Sequence, residues 1–171
     1  MTIKRSILHA WMAGIVDGEG CLTICKQIRK GRPSPAFRES IMISNTDPAI
    51  VAPFAYVWGG GIYTIIDKRI EKKWTDALTW HCPENRAVAF LSAMIPHLRA
   101  KRPQAELILE FIALKKTFVR HHVRIPGTNL VKGSAPLSVE EITAREQFWN
   151  SVRALNAKGP YARRLKIAGE Q

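Results

Sequence analysis

The sequence predicts an α+β fold, in which helices cover one face of an antiparallel sheet and the other face stays polar. Apolar residues follow helical spacing up to Asp17 and then alternate with polar residues after Gly20. A second change from a helix to a pair of strands occurs between residues 47 and 82. Polar and basic side chains occupy the alternate strand positions, so the outward face of the predicted sheet is polar.

The first helix is predicted from Ser6 to about Asp17, with these apolar residues at helical spacing: Leu8, Trp11, Met12 and Ile15. The first hairpin follows, and its turn is the glycine- and proline-rich segment 31–35. Each strand alternates, and the residues predicted to face the helices are Leu22, Ile24, Ile41 and Ile43.

Asp47 is predicted to cap a second helix, because Pro48 suits the first helical position and the three glycines 59–61 end the pattern. Residues 62–82 predict a second hairpin around the charged turn 68–73.

Helices are then predicted to begin at Pro83 and Pro103, and a loop begins after His121. Ser138 and Glu141 form a predicted capping box for a last helix that reaches about Asn156. The chain therefore divides into a core at 1–120 and a C-terminal loop, helix and basic tail at 121–171, packed on the core.

The charge of the chain indicates a polyanionic partner. The 26 basic and 14 acidic residues give a net charge of +12, which suits nucleic acid better than a membrane surface. The cysteines Cys21, Cys25 and Cys82 form no CxxC pair, so we expect neither a disulfide framework nor a structural zinc site, and a reducing, intracellular environment. The apolar run near the N-terminus is too short to span a bilayer.

The string MAGIVDGEG at residues 12–20 closely resembles the motif of the LAGLIDADG homing endonucleases. Ala13 and Gly14 keep the small residues, and Asp17 to Gly20 supply the acidic, glycine-punctuated end. The segment PHLRAKRPQA at 96–105 is similar to the family segment that places a basic residue near the metals, and it matches at Lys101 and Gln104. The resemblance covers about residues 6–120 and implies an αββαββα core with a DNA-binding sheet, followed by C-terminal helices.

Small residues in the first helix predict a close helix contact. Ala10, Ala13, Gly14, Asp17 and Gly18 lie at positions i, i+3, i+4, i+7 and i+8, where a partner helix can approach the backbone. Packing against another helix of the same chain is the alternative. The chain has one copy of the motif and so resembles the homodimeric members of the family, which implies a dimer interface at Ala10, Ala13, Gly14 and Asp17.

Glu19 is the predicted catalytic carboxylate. It follows the end of a helix, where the helix dipole disfavours an anion, and a twofold axis nearby would bring a second Glu19 close to it, so a cation is needed. Hard divalent ions with oxygen ligands suit such a place. The resemblance implies Mg²⁺ held at Glu19 and Gly18, with Mn²⁺ as a possible substitute and Ca²⁺ as an ion that binds without supporting cleavage.

Other residues of the predicted site have two interpretations each. Asp17 is a metal ligand or, as we favour, a hydrogen-bonding residue across the helix pair. Lys101 polarises the scissile phosphate or is a solvated lysine, and Gln104 is carried over with it as a catalytic residue. Asp47 belongs to a catalytic water network or only caps its helix. An arginine of some relatives is absent, because Ala49 to Val51 occupy its place.

The phase of the strands predicts which side chains contact DNA. In a major groove, arginine, glutamine, serine and threonine can reach base edges. The first hairpin is expected to contribute Thr23, Cys25, Gln27, Arg29, Lys30, Arg32, Arg38, Ser40 and Ser44. For the second hairpin the phase is ambiguous, and the chosen residues are Thr64, Lys68, Arg69 and Asp76, with Lys72 and Lys73 as phosphate contacts.

The sequence thus predicts a homodimeric, metal-dependent, site-specific double-strand DNA endonuclease that acts on a long, near-palindromic site. The resemblance implies 3′ overhangs, an intron-encoded origin, and residence in a bacterial or phage cytoplasm or an organelle. Two alternatives stay open, an RNA-binding intron maturase and a catalytically silent DNA-binding protein of the same fold.

Overall fold

The structure is a computed structural model that describes residues 5–65, 76–118, 122–124 and 131–157. The helices are α1 (Arg5–Glu19), α2 (Pro48–Trp58), α3 (Ala87–Met94), α4 (Arg102–Thr117) and α5 (Val139–Asn156). The strands are β1 (Gly20–Gln27), β2 (Ala36–Asn45), β3 (Ile62–Ile65), β4 (Ala77–His81), β5 (His122–Arg124) and β6 (Val131–Ser134). None of the described helices is long and apolar enough to cross a membrane.

The predicted α+β fold is confirmed. Helix α1 is followed by the hairpin β1–β2, helix α2, the hairpin β3–β4 and then helices. The four strands form one antiparallel sheet in the order β1-β2-β4-β3, so the two hairpins join through β2 and β4. In this central pairing Ile43 is opposite Trp80 and Ser44 is opposite Thr79.

The hydrophobic core lies between the sheet and the helices. The sheet contributes the predicted inward residues Leu22, Ile24, Ile41 and Ile43, all of them buried. The core also contains an aromatic cluster. The ring centroid of Trp80 lies 5.3 Å from the centroid of Phe54 and 5.4 Å from the centroid of Phe90. Helix α4 adds Ile108 and Phe111.

The passage from α1 to β1 requires a glycine at position 20. A Cβ atom on Gly20 would lie 2.5 Å from the carbonyl oxygen of Val16, and backbone atoms cannot move aside cheaply. The helix therefore ends at Glu19, and the chain turns directly into the first strand.

Helix α2 begins and ends as the sequence predicts. Asp47 caps its N-terminus by accepting a hydrogen bond of 2.8 Å from the amide of Ala49. At the other end, Gly59 and Gly60 have φ angles of 72° and 90°, which favour glycine. The indole of Trp80 donates to the carbonyl of Gly59 at 2.7 Å, which fixes this end to the core.

Three local features differ from the prediction. The segment after Pro83 begins with a short 3₁₀ turn, Glu84–Arg86, before α3. The predicted loop after His121 contains the hairpin β5–β6. At α5, Ser138 accepts the predicted hydrogen bond from the amide of Glu141, but the Glu141 side chain pairs with Arg145 instead of completing the capping box.

Candidate active site and nucleic-acid face

Glu19 is the last residue of α1, and its side chain is exposed. The last turn of α1 contains no basic residue of its own, although the C-terminal end of a helix favours a cation. Lys101 supplies that cation from the segment before α4. Its ammonium group donates to the carbonyl oxygens of Val16, at 2.9 Å, and of Asp17. The structure therefore brings the predicted lysine to the helix end that carries the predicted carboxylate.

Asp17 makes further hydrogen bonds between α1 and the segment before α4. Its carboxylate accepts hydrogen bonds from the backbone amides of Arg99, at 2.7 Å, and Lys101, at 2.9 Å. Asp17 therefore makes its hydrogen bonds inside the chain, between α1 and the segment before α4, and these are not the contacts across a helix pair that the sequence predicted. A contact of Asp17 with a second helix stays a prediction.

Cys21 lies one residue beyond Gly20 on β1. Burial raises the pKa of the Cys21 thiol, and Cys25 raises it further, whereas the positive charge of Lys101 acts in the opposite direction. The thiol is therefore a neutral group beside the candidate site.

Gln104 is placed differently from the exposed Glu19. It is 7% exposed, and its amide donates to Asn156 at 3.3 Å, while Asn156 donates to the carbonyl of Leu22 at 2.8 Å. Its amide oxygen is buried without a hydrogen-bond partner among the described residues. Gln104 therefore belongs to an interior link between α4, α5 and β1, and the structure does not bring it to the surface around Glu19.

Asp47 is exposed, and its capping role is confirmed by the hydrogen bond from Ala49. Its own amide donates to the side chain of Asn45 at 2.9 Å. A further role of Asp47 in a catalytic water network stays a prediction.

One side of α1 presents an uncovered backbone. Among the residues that the structure describes, an added Cβ on Gly14 or Gly18 would meet nothing within 4 Å apart from the backbone of the helix itself. Together with the exposed Ile7 and Ala10, these glycines form what we call the open stripe. Ala13 is a correction to the predicted interface, because it is 0% exposed within the single chain and packs in the core.

The outward side of β1, β2 and β4 forms the polar sheet face. Residues directly opposite each other on paired strands point to the same side of a sheet. The outward pairs are Thr23 with Ser40, Cys25 with Arg38, Met42 with His81, and Ser44 with Thr79. The hydroxyl groups of Ser44 and Thr79 are 2.8 Å apart and share a hydrogen bond.

The predicted phase of the first hairpin agrees with this arrangement. Thr23, Cys25, Gln27, Arg38, Ser40 and Ser44 alternate with the buried residues of β1 and β2 and so lie on the polar sheet face. Their contact with DNA is a separate question and stays a prediction.

The phase chosen for β3 is wrong. Thr64 is opposite Leu78 on β4, and Leu78 packs against the core, so Thr64 lies on the helix side of the sheet. Tyr63, opposite Thr79, and Ile65, opposite Ala77, are the outward residues of this strand. The prediction also missed His81, whose exposed ring lies edge-on to Tyr63 at 5.4 Å. The buried Trp80 was the available signal, because it fixes which residues of β4 point outward.

The remaining predicted DNA contacts lie at the ends of the hairpins. Arg29, Lys30 and Arg32 are exposed beyond the end of β1, and Asp76 is exposed immediately before β4. The guanidinium of Arg29 donates to the side chain of Gln27 at 2.9 Å. Four further calls fall outside the described residues: Lys68, Arg69, Lys72 and Lys73.

The predicted metal has a suitable but incomplete donor set in one chain. Glu19 offers an exposed carboxylate, which suits a hard divalent ion. Within the ranges that the structure describes, no three or more His, Cys, Asp or Glu side chains are grouped to hold an ion. The Glu19 carboxylate therefore suits Mg²⁺ by its chemistry, as a single oxygen ligand outside any such group of the described residues.

Comparison with solved structures identifies the class of fold. No protein-family model matches the sequence. No curated protein matches it either. The homing endonuclease I-CvuI, solved in complex with its target in the presence of calcium, is similar over 95% of this chain and 92% of its own, with a TM-score of 0.63 and 18% identity.

Two further structures agree. The archaeal intron-encoded homing endonuclease I-Vdi141I, solved with DNA, is similar over 91% of this chain and 88% of its own, with a TM-score of 0.64 and 11% identity. The LAGLIDADG homing endonuclease I-SmaMI, bound to cleaved DNA, is similar over 98% of this chain and 48% of its own, with a TM-score of 0.56 and 12% identity.

The fold, with Glu19 at the junction of α1 and β1, is that of a homing endonuclease. More particularly, it is the fold of the LAGLIDADG homing endonucleases, and the resemblance of residues 12–20 to their motif is confirmed at the level of the fold.

Proposed function

We propose that the protein is a metal-dependent, site-specific DNA endonuclease that acts as a homodimer on a long, near-palindromic site. The observation that carries this proposal is the exposed Glu19 at the end of a helix that has an open stripe of small residues and leads into a polar sheet face. In a fold shared with DNA endonucleases, these three features supply a hydrolytic group, a dimer surface and a DNA surface.

The open stripe supports the homodimer. Gly14 and Gly18 lie four residues apart on one side of α1, and none of the described residues would contact a Cβ on either beyond the helix backbone. A second α1 could therefore approach until the two backbones are in contact. A twofold axis between the helices would place two Glu19 carboxylates near each other and two polar sheet faces along one duplex.

The chemistry follows from the residues at the end of α1. When bound, Mg²⁺ would stabilise the developing charge of an in-line phosphodiester displacement and lower the pKa of an attacking water. Glu19 would hold the ion, and the backbone of Gly18 is the second proposed oxygen donor. Lys101 would add positive charge beside the scissile phosphate while its contacts to Val16 and Asp17 fix its position. We leave Gln104 out of this group because its amide lies in the interior link with Asn156.

The experiment is selection of cleaved sites from a randomised duplex library with Mg²⁺. Wild type is expected to enrich one long, near-palindromic sequence with 3′ overhangs. Glu19→Gln is expected to bind the selected duplex but lose cleavage by at least roughly a hundredfold, since it removes a metal ligand. Glu110→Gln makes the same change at an exposed position of α4 and should cleave normally. Unchanged cleavage by Glu19→Gln would refute the role of Glu19, and binding without any cleavage would indicate a silent DNA-binding protein.

A further inference from the structure

A cationic pocket lies at the end of β1 that is remote from Glu19. The turn between β1 and β2 forms one side of this pocket, and the segment before α5 forms another. Its volume is about 360 Å³. Five basic side chains line it, Arg29, Arg32, Arg38, Lys115 and Arg145, whereas Glu84 is the one acidic residue of the described lining.

Two of these cations form ion pairs with carboxylates that do not line the pocket. The ammonium of Lys115 hydrogen-bonds Glu39, whose side chain is 5% exposed, and the buried guanidinium of Arg145 hydrogen-bonds Glu141. Neither carboxylate is among the described lining residues. Both cations are therefore held by a carboxylate of their own chain, and Lys115, whose side chain is 21% exposed, is the one of the two that keeps contact with solvent.

The rim of the pocket is also fixed before any ligand binds. The amide of Leu137, in the segment before α5, donates to the hydroxyl of Ser34 in the β1–β2 turn at 3.2 Å. Three proline residues of the lining restrict the backbone further: Pro33, Pro35 and Pro136. A ligand would therefore lose little binding free energy to ordering of the rim.

We propose that this pocket binds a phosphate group, and that the group is a backbone phosphate of the DNA that flanks the bases read by the polar sheet face. This inference rests on the DNA binding proposed above. An arginine can donate two parallel N–H hydrogen bonds to two oxygens of one phosphate, and a lysine adds a compact positive charge. Gln27 and Arg38 belong both to the polar sheet face and to the pocket, so a duplex lying on that face passes the mouth of the pocket. The same chemistry would accept a free phosphate ester.

The buried pair of Glu39 and Lys115 allows a test with opposite signs. Glu39→Gln leaves the ammonium in the pocket without its counter-charge and should strengthen phosphate binding. The double variant Glu39→Gln/Lys115→Gln removes both charges and should weaken it. Lys116→Gln removes a neighbouring exposed charge that does not line the pocket and should behave as wild type. Loss of stability alone would weaken binding in both Glu39 variants, so a gain in one of them cannot come from misfolding.

The first measurement uses the selected target duplex with single methylphosphonate substitutions, which remove the charge of one phosphate at a time. At one or two flanking phosphates, the substitution should weaken wild-type binding roughly tenfold, as expected for one charged hydrogen bond. The same substitution should weaken binding less than twofold in the double variant, and Lys116→Gln should keep the wild-type pattern. Absence of any such position would overturn the assignment to DNA.

The second measurement titrates inorganic phosphate into the full chain without DNA, at constant ionic strength, and follows the amide resonances of Ser34 and Leu137. The expected order of affinity is Glu39→Gln, then wild type, then the double variant. If inorganic phosphate binds in this order but no methylphosphonate position weakens DNA binding, the pocket binds a free phosphate ester, and the proposal that it binds a DNA phosphate is overturned. If no site is selected from the library, the nuclease proposal fails. The phosphate titration still tests the pocket, because the three proteins should bind inorganic phosphate in the expected order. Any other result overturns the pocket proposal.

Discussion

Asp17→Asn is expected to destabilise the fold, because the carboxylate of Asp17 accepts two backbone hydrogen bonds, from Arg99 and Lys101. Asparagine keeps one acceptor oxygen and turns an amide group, itself a donor, toward the second backbone amide. A hydrogen bond to a charged group contributes about 1.5–3 kcal/mol. Since Asp17 is half-buried, we expect the low end, a loss of about 2 kcal/mol in the free energy of unfolding.

The assay is urea unfolding followed by circular dichroism, with a thermal scan in parallel. For a chain of this size, about 2 kcal/mol corresponds to a fall in Tm of about 4–8 °C. Asp47→Asn is the matched control, because asparagine caps a helix as well as aspartate does, so its Tm should stay within about 1 °C of wild type. Equal Tm values for Asp17→Asn and Asp47→Asn would refute the proposed contribution of the two hydrogen bonds.

Three further predictions concern the glycines and a cysteine. Gly14→Leu should lower the sedimentation coefficient from that of the proposed dimer to that of a monomer, because a Cβ on Gly14 meets no described residue within 4 Å beyond the helix backbone, and a leucine there would fill the space of a partner helix. Ala113→Leu, at an exposed position of α4, should leave the dimer intact. A dimeric Gly14→Leu would contradict the open stripe as the interface. Gly20→Ala should lower the free energy of unfolding by about 1–3 kcal/mol, as overpacking does, because its Cβ would lie 2.5 Å from the carbonyl oxygen of Val16. Gly14→Ala is the control and should not lower the free energy of unfolding. Equal stability of the two variants would contradict the predicted clash at Gly20. Burial raises the pKa of the Cys82 thiol from 9.0 to about 12, so its thiolate fraction at pH 8 is about a thousandfold below that of an ordinary thiol. Iodoacetamide should therefore label Cys82 slowly in the native protein and quickly in urea, as measured by mass spectrometry. Equal labelling rates would show that burial does not protect the thiol.

The sequence was sufficient for the first hairpin because its two faces differ in composition. Ile41 and Ile43 alternate with Ser40, Met42 and Ser44, so one phase buries the two isoleucines and turns the two serines outward. In β3 the sequence is apolar on both sides, and the phase depends on the register with β4. Burial of Trp80 sets which side of β4 faces outward, but the pairing of Thr64 with Leu78 is seen only in the assembled sheet.

The contacts around Glu19 could be predicted only in part. The resemblance to a family motif indicated that Lys101 lies near the acidic end of α1. It did not indicate that Asp17 binds the backbone of Lys101, a residue 84 positions further along the chain. Charged residues on the inward side of the sheet, such as Lys26 and Glu39, also escape a simple alternation rule, because each pairs with a partner on α4 or α5.

The reciprocal contacts between Asp17 and Lys101 have a mechanical consequence. The backbone of Lys101 is tied to the side chain of Asp17, and the ammonium of Lys101 is tied to the backbone of the same helix turn. These hydrogen bonds join the end of α1, which carries Glu19, to the ammonium group of Lys101. If the protein forms the proposed homodimer and its subunits move against each other when DNA binds, the end of α1 and the Lys101 ammonium will therefore move together.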